Sequence, residues 1–149
     1  MTTMQERLKD AMKQAMKSRE KVRLGTIRLM LAAIKQREVD ERIVLDDQQV
    51  IVVLDKMLKQ RRESIRQYRE ASRDDLAEVE EAEVLVIQEF LPQELTENEI
   101  NDMVKSAIAD SSANSIKDMG KVMAILKPAM QGRADMAVVS TKIKAMLAT

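Results

Sequence analysis

In 149 residues the chain contains only three glycines and two prolines. Apolar residues recur at three- and four-residue spacing almost from end to end, and β-branched alternation is absent. Few breakers and a helical period leave little room for anything but helix, so the fold class is all-α. The spacing predicts seven helices: four in an N-terminal helical bundle spanning 1–95 and three in a small C-terminal domain spanning 96–149.

The first helix, about Met4 to Lys17, places Leu8, Ala11, Met12, Ala15 and Met16 on one face. The second, about Arg19 to Val39, is apolar on two sides: Leu24, Ile27, Met30, Leu31 and Ile34 on one, Gly25, Leu29, Ala32 and Ala33 on much of the other. Such a helix is expected to be packed on both sides, with Gly25 allowing a close helix approach. Glu38 to Asp47 is expected to be a loop ending in an N-cap at Asp46 or Asp47. The third helix, about Asp47 to Ala71, buries Val50, Val53, Leu54, Met57, Ile65 and Tyr68. Arg61 shares that face and needs an acidic partner from the next helix. The fourth, about Asp74 to Phe90, should be capped by Ser72 or Asp74. After the boundary Leu91-Pro92, Thr96 and Glu99 form a capping box for the fifth helix. Ser115 is expected to cap the sixth.

Two glycines and one proline concentrate in the stretch KDMGKVMAILKPAMQGRAD, Lys117 to Asp135. At 100° per residue, Met119, Val122, Met123, Leu126 and Met130 share a side, with Lys117 and Lys121 opposite and Lys127 on the flank. Pro128 falls on the solvent side. Gly132 is placed just past the helix end and Asp135 at the N-cap of the seventh helix, whose inner face is Val139, Ile143, Met146 and Leu147. Lys117, Lys121, Lys127 and Arg133 thus make one candidate basic surface. The third helix carries another, a ridge of Lys59, Arg62, Arg66, Arg69 and Arg73 interleaved with Glu63 and Glu70. For either set the competing reading is a solvated, salt-bridged helix face.

The zero net charge hides a basic, acidic, basic order. Residues 1–73 hold 18 Lys/Arg against 11 Asp/Glu, residues 74–110 hold 1 against 12, and residues 111–149 hold 6 against 2. The chain has no Cys and no His, which removes disulfides, thiol chemistry, the usual zinc ligands and the commonest general base. No metal, no cofactor and no catalytic residue is expected. Ser18 and Lys21 fit a bare Ser-x-x-Lys spacing that chance supplies readily, and no phosphate-binding glycine loop is present. With Tyr68 and Phe90 as the only aromatics, stacking on unpaired bases is not available, so a nucleic acid would be held by shape and phosphate. The last helix would expose Ala137, Thr141, Lys144 and Ala148, a poor set for reading base edges. Without a secretory signal or a membrane-spanning run, a cytoplasmic protein is expected.

The segments RLGTIRLMLAAIKQREVDER, KMLKQRRESIRQYREASRDDLAEVEEAE, FLPQELTENEI and DMGKVMAILKPAMQGRAD, the last followed by VVSTKIKAML, resemble YqeY proteins in the same order. The C-terminal part is also similar to the tail domain of the B subunit of the tRNA-dependent amidotransferase. The resemblance implies a bacterial protein with a two-domain all-helical fold, and a tail of the kind that helps engage tRNA. Its matched positions are Gly120, Lys121, Gly132, Arg133, Ala134 and Asp135, none of them catalytic. Three functions follow as expectations. The first is a non-catalytic translation accessory that binds tRNA or tRNA-like RNA through phosphates. The second is an adaptor that docks on a translation enzyme through the acidic 74–110 segment or Met-rich faces. The third, resting on the shared tail alone, is a carbon-nitrogen ligase of the amidotransferase kind.

Overall fold

The computed structural model describes residues 2–148. Among these are seven α-helices, one 3-10 turn and no strand: α1 Met4–Lys17, α2 Lys21–Glu41, α3 Asp47–Glu70, α4 Asp74–Phe90, α5 Glu97–Ser111, the 3-10 turn Ile116–Asp118, α6 Met119–Met130 and α7 Met136–Leu147. The chain divides into two compact units, one ending at Pro92 and the other beginning at Gln93. Each unit has its own apolar core. No helix among the described residues is long and apolar enough to cross a membrane.

The first unit holds α1 to α4. Its centre is the fully buried set Leu8, Ile27, Met30, Ile34, Val50, Leu54 and Ile87. Thr3 with Glu6 and Asp46 with Gln49 are capping boxes at the starts of α1 and α3, each satisfying donors that a helix start leaves open. Arg61 donates from Nη2 to Glu83 at 2.9 Å and lies 4.0 Å from Glu80, so the acid required by its position comes from α4. Arg7 and Arg23 stand over the Phe90 ring at 5.9 and 5.6 Å.

Several expectations are corrected in this unit. Helix α2 runs on to Glu41 rather than breaking near Glu38. An Arg37–Glu41 pair supports its last turn, and the Glu38 carboxylate accepts from the Leu45 backbone N–H and from Gln5 Nε2. The fold thereby uses Glu38 to tie the loop down from within the helix. Thr26, Ile27, Met30 and Ile34 of α2 are buried and Ala33 packs on the same core, whereas Gly25 and Ala32 are exposed and Leu29 is 49% exposed, so the second side is largely open. A Cβ built on Gly25 meets nothing within 4 Å, so among the described residues no helix of this unit approaches closely there. Helix α4 starts after Arg73 with no side-chain cap from Ser72 or Asp74. Ser72 instead takes a left-handed turn with φ 58°, and Asp74 and Asp75 favour the first turn through the helix dipole.

The second unit packs α5, α6 and α7 around Val104, Val122, Leu126, Met130, Val139 and Ile143, all fully buried or nearly so. The Thr96–Glu99 capping box opens α5. Ser115 does not cap α6 with its side chain. It precedes the 3-10 turn, and Asp118 accepts from the Asn114 backbone N–H at 3.1 Å, closing that turn from the other side.

Candidate functional site

Helix α6 continues through Pro128 to Met130. The proline is exposed, which makes its missing hydrogen bond tolerable because water can reach the carbonyl it leaves without a donor. Val122, Leu126 and Met130 point into the core while Gly120, Lys121, Ala124, Lys127 and Pro128 are exposed. A Cβ on Gly120 would find open space for 4 Å. Internal packing therefore does not require this glycine, and the backbone there is bare toward solvent. Lys117, in the 3-10 turn, is exposed just before this face.

The helix ends through Gln131, and Gly132 follows with φ 76° while buried, a left-handed position that suits glycine. Asp135 Oδ1 accepts from the Ala137 backbone N–H at 3.0 Å and starts α7. Ala134 packs against the core. Gly132, Ala134 and Asp135 are therefore the corner between α6 and α7, whereas Gly120 belongs to an open face.

The four basic residues of this region divide in two. Arg133 is half-buried, donates from Nε to the Gln93 carbonyl at 3.0 Å, and its own carbonyl accepts from the Leu95 N–H at 2.9 Å. It fastens the start of the unit to the α6–α7 corner. Lys121 lies 3.6 Å from Asp118. That carboxyl is held below its usual value, chiefly by the Asn114 N–H and less by Lys121. Lys117 and Lys127 take part in no salt bridge among the described residues.

The ridge on α3 is arranged differently. Arg66 pairs with Glu63 and Glu70, Arg69 with Asp74 and Glu81, Arg73 with Asp75, and Lys59 with the buried Asp55. Glu63 is lowered to about 2, first by its bond from Arg66 and then by Gln67. Arg66 and Arg69 are raised above the ordinary guanidinium value by these same carboxylates. Arg62 is exposed. The ridge thus faces its own counter-ions, most of them supplied by α3 and the first turns of α4. Among the described residues no cluster of three or more acids could hold a metal ion.

The described residues are all-helical, and α6 presents lysines around a bare helix face. The sequence pattern of the family described as Yqey-like protein matches residues 5–147, and the chain belongs to that family. A relative from Pyrenophora tritici-repentis, named altered inheritance of mitochondria protein 41, mitochondrial, is 33% identical over 141 residues, covering 93% of this chain and 77% of the relative. A protein of the same name from Vanderwaltozyma polyspora is 36% identical over 107 residues, 64% of this chain and 58% of its own. An uncharacterized protein of Schizosaccharomyces pombe is 38% identical over 79 residues, 53% of this chain and 64% of its own. The chain thus spans about three quarters of the first relative and under two thirds of the other two. Two of the three carry mitochondrial names, and nothing in these relatives supports the expected bacterial setting.

Proposed function

We propose that this protein binds tRNA or a similarly structured RNA as a non-catalytic accessory of translation, and that the contact is made by the exposed face of α6. The observation that carries this reading is the contrast between the two basic sets. Lys117 and Lys127 stand outside salt bridges beside a glycine with 4 Å of open space above it, while the α3 cations are largely satisfied by carboxylates. A phosphate gains most from cations that the fold has not already paired. Lys121 shares its charge with Asp118 and joins the contact by turning toward the ligand. Arg133 supports the surface from below, through the Gln93 and Leu95 bonds. With no aromatic residue on α6, recognition is by backbone and shape. We place the activity in the compartment named for the relatives, the mitochondrion, or in the cytoplasm of a cell that has none.

An adaptor role has less support on the acidic 74–110 segment and the Met-rich faces. Asp74, Asp75, Glu81 and Glu83 are engaged by arginines, and Met119, Met123 and Met130 belong to the second core or pack on it.

Fluorescence anisotropy of labelled tRNA across a salt series tests the proposal. Log affinity should fall with log salt, and a Lys117/Lys121/Lys127→Ala variant should show a slope shallower by about 2. No binding by the unaltered chain at low salt would reject an RNA ligand.

A further inference from the structure

The outer side of α2 carries an apolar seam with no partner among the described residues. Val22, Gly25, Leu29, Ala32, Gln36 and Val39 follow one another at alternating three- and four-residue steps, on the side of the helix opposite Ile27, Met30 and Ile34. Val22 is 61% exposed and Val39 60%. The seam is about 25 Å long at 1.5 Å per residue. At its end it runs into a groove lined by Lys35, Val39, Arg42, Ile43 and Val44 with Glu38. Gly25 costs its helix about 1 kcal/mol relative to alanine, and the open space above it shows that packing within the chain does not use it.

One flank of this seam is basic. Lys21, Arg28 and Lys35 recur every seven residues, and Arg42 extends the row just past the helix end. None of the four is in a salt bridge among the described residues. Arg28 reaches no acid and touches Met16 Sδ at 3.7 Å. In a two-helix seam with apolar residues at this spacing, these are the positions that meet charges of the opposing helix.

We propose that the outer face of α2 docks an amphipathic helix of a partner protein, one whose apolar seam is flanked by Glu or Asp. Charge decides against a second copy. Antiparallel α2 helices would set the basic row against itself, and parallel ones would set it against Thr26, Ala33 and Asp40, a single acid for four cations. Side-chain size decides against a bilayer: Gly25 and Ala32 alternate with Val22, Leu29 and Val39, and no aromatic is present. That composition lets a helix backbone come close and gives little to bury in lipid. The inference is independent of the RNA reading, since it concerns α2 alone.

The test uses the full chain and a labelled helical peptide about three heptads long, with Leu and Ile in its seam and Glu on both flanks, beside a twin carrying Lys in place of Glu. Anisotropy should show binding of the Glu peptide and little of the Lys peptide. Leu29→Asp or Val39→Asp should weaken binding on the order of 30-fold, and Arg28→Glu with Lys35→Glu should reverse the preference. Helical content and melting should stay unchanged, because all four positions are exposed. Equal binding of both peptides, or of neither, overturns the proposal. So does concentration-dependent dimerisation in sedimentation that Leu29→Asp abolishes, which assigns the seam to a second copy. Co-sedimentation with phosphatidylglycerol vesicles that Leu29→Asp abolishes assigns it to a membrane and likewise overturns the proposal.

Discussion

Arg61 of α3 and Glu83 of α4 meet at 2.9 Å with side chains only 14% and 18% exposed. A second bond, from Arg61 Nε to the same Glu83 oxygen at 3.0 Å, fixes the guanidinium plane. Glu83→Gln should therefore weaken the first unit by about 1–3 kcal/mol, because it leaves a largely buried cation short of its counter-charge. Replacing both residues by leucine should restore most of the loss, as chemical denaturation of the single and double variants can measure.

Gly132 carries a φ of 76° in a buried turn. Gly132→Ala should cost about 1–2 kcal/mol, since a Cβ is disfavoured in left-handed backbone. Gly120→Ala, in open space within a helix, should be neutral or slightly stabilising. Thermal melting should show a clear drop for Gly132→Ala and none for Gly120→Ala.

Because each unit has its own core, Leu126→Ala in α6 and Leu54→Ala in α3 should act on different parts of the chain. Each is expected to cost about 2–5 kcal/mol. Native-state amide exchange should show the loss confined to α5–α7 in the first variant and to α1–α4 in the second.

The Glu38 carboxyl is held below its ordinary 4.5, first by the Leu45 N–H and then by Gln5. A group whose value is lower folded than unfolded adds stability above the unfolded value and loses it as pH falls through the folded one. Acid unfolding of Glu38→Gln should consequently show a flatter pH dependence below about 4.5 than the unaltered chain. At neutral pH the loop between α2 and α3 should exchange faster in that variant.

Paired cations should contribute little to RNA binding. Arg66→Ala with Arg69→Ala is expected to leave the salt slope for tRNA nearly unchanged, in contrast to the α6 lysines. A slope that falls as far as in the lysine variant would move the RNA contact to α3.

The helices were legible because their signals are local. Thr96 with Glu99, Asp46, Gly132 and Asp135 act within four residues of themselves, and the pairing of Arg61 with an acid follows from a charge lying on an apolar face. What escaped depends on neighbours distant in sequence. Nothing in the text around Gly25 says whether a second helix covers it, and two apolar sides looked like two packed sides. The bonds joining Arg133 to Gln93 and Leu95 reach far back in the chain, and no local spacing announces them. The α3 ridge carried its own warning in Glu63 and Glu70, but the acids from α4 become visible only when the two helices are side by side. Buried Asp55, beside Lys59, gave no periodic signal because it falls inside a broad apolar face.

Proline at position 128 does more than survive on the exposed side of α6. Having no N–H, it leaves the Ala124 carbonyl, one turn earlier, without its helical donor on the same face as Lys121 and Lys127. Amid cationic donors the face thus presents an acceptor as well. A phosphate oxygen has no use for one, but a ribose 2′-hydroxyl can donate to it, and that hydroxyl is the group by which RNA differs from DNA.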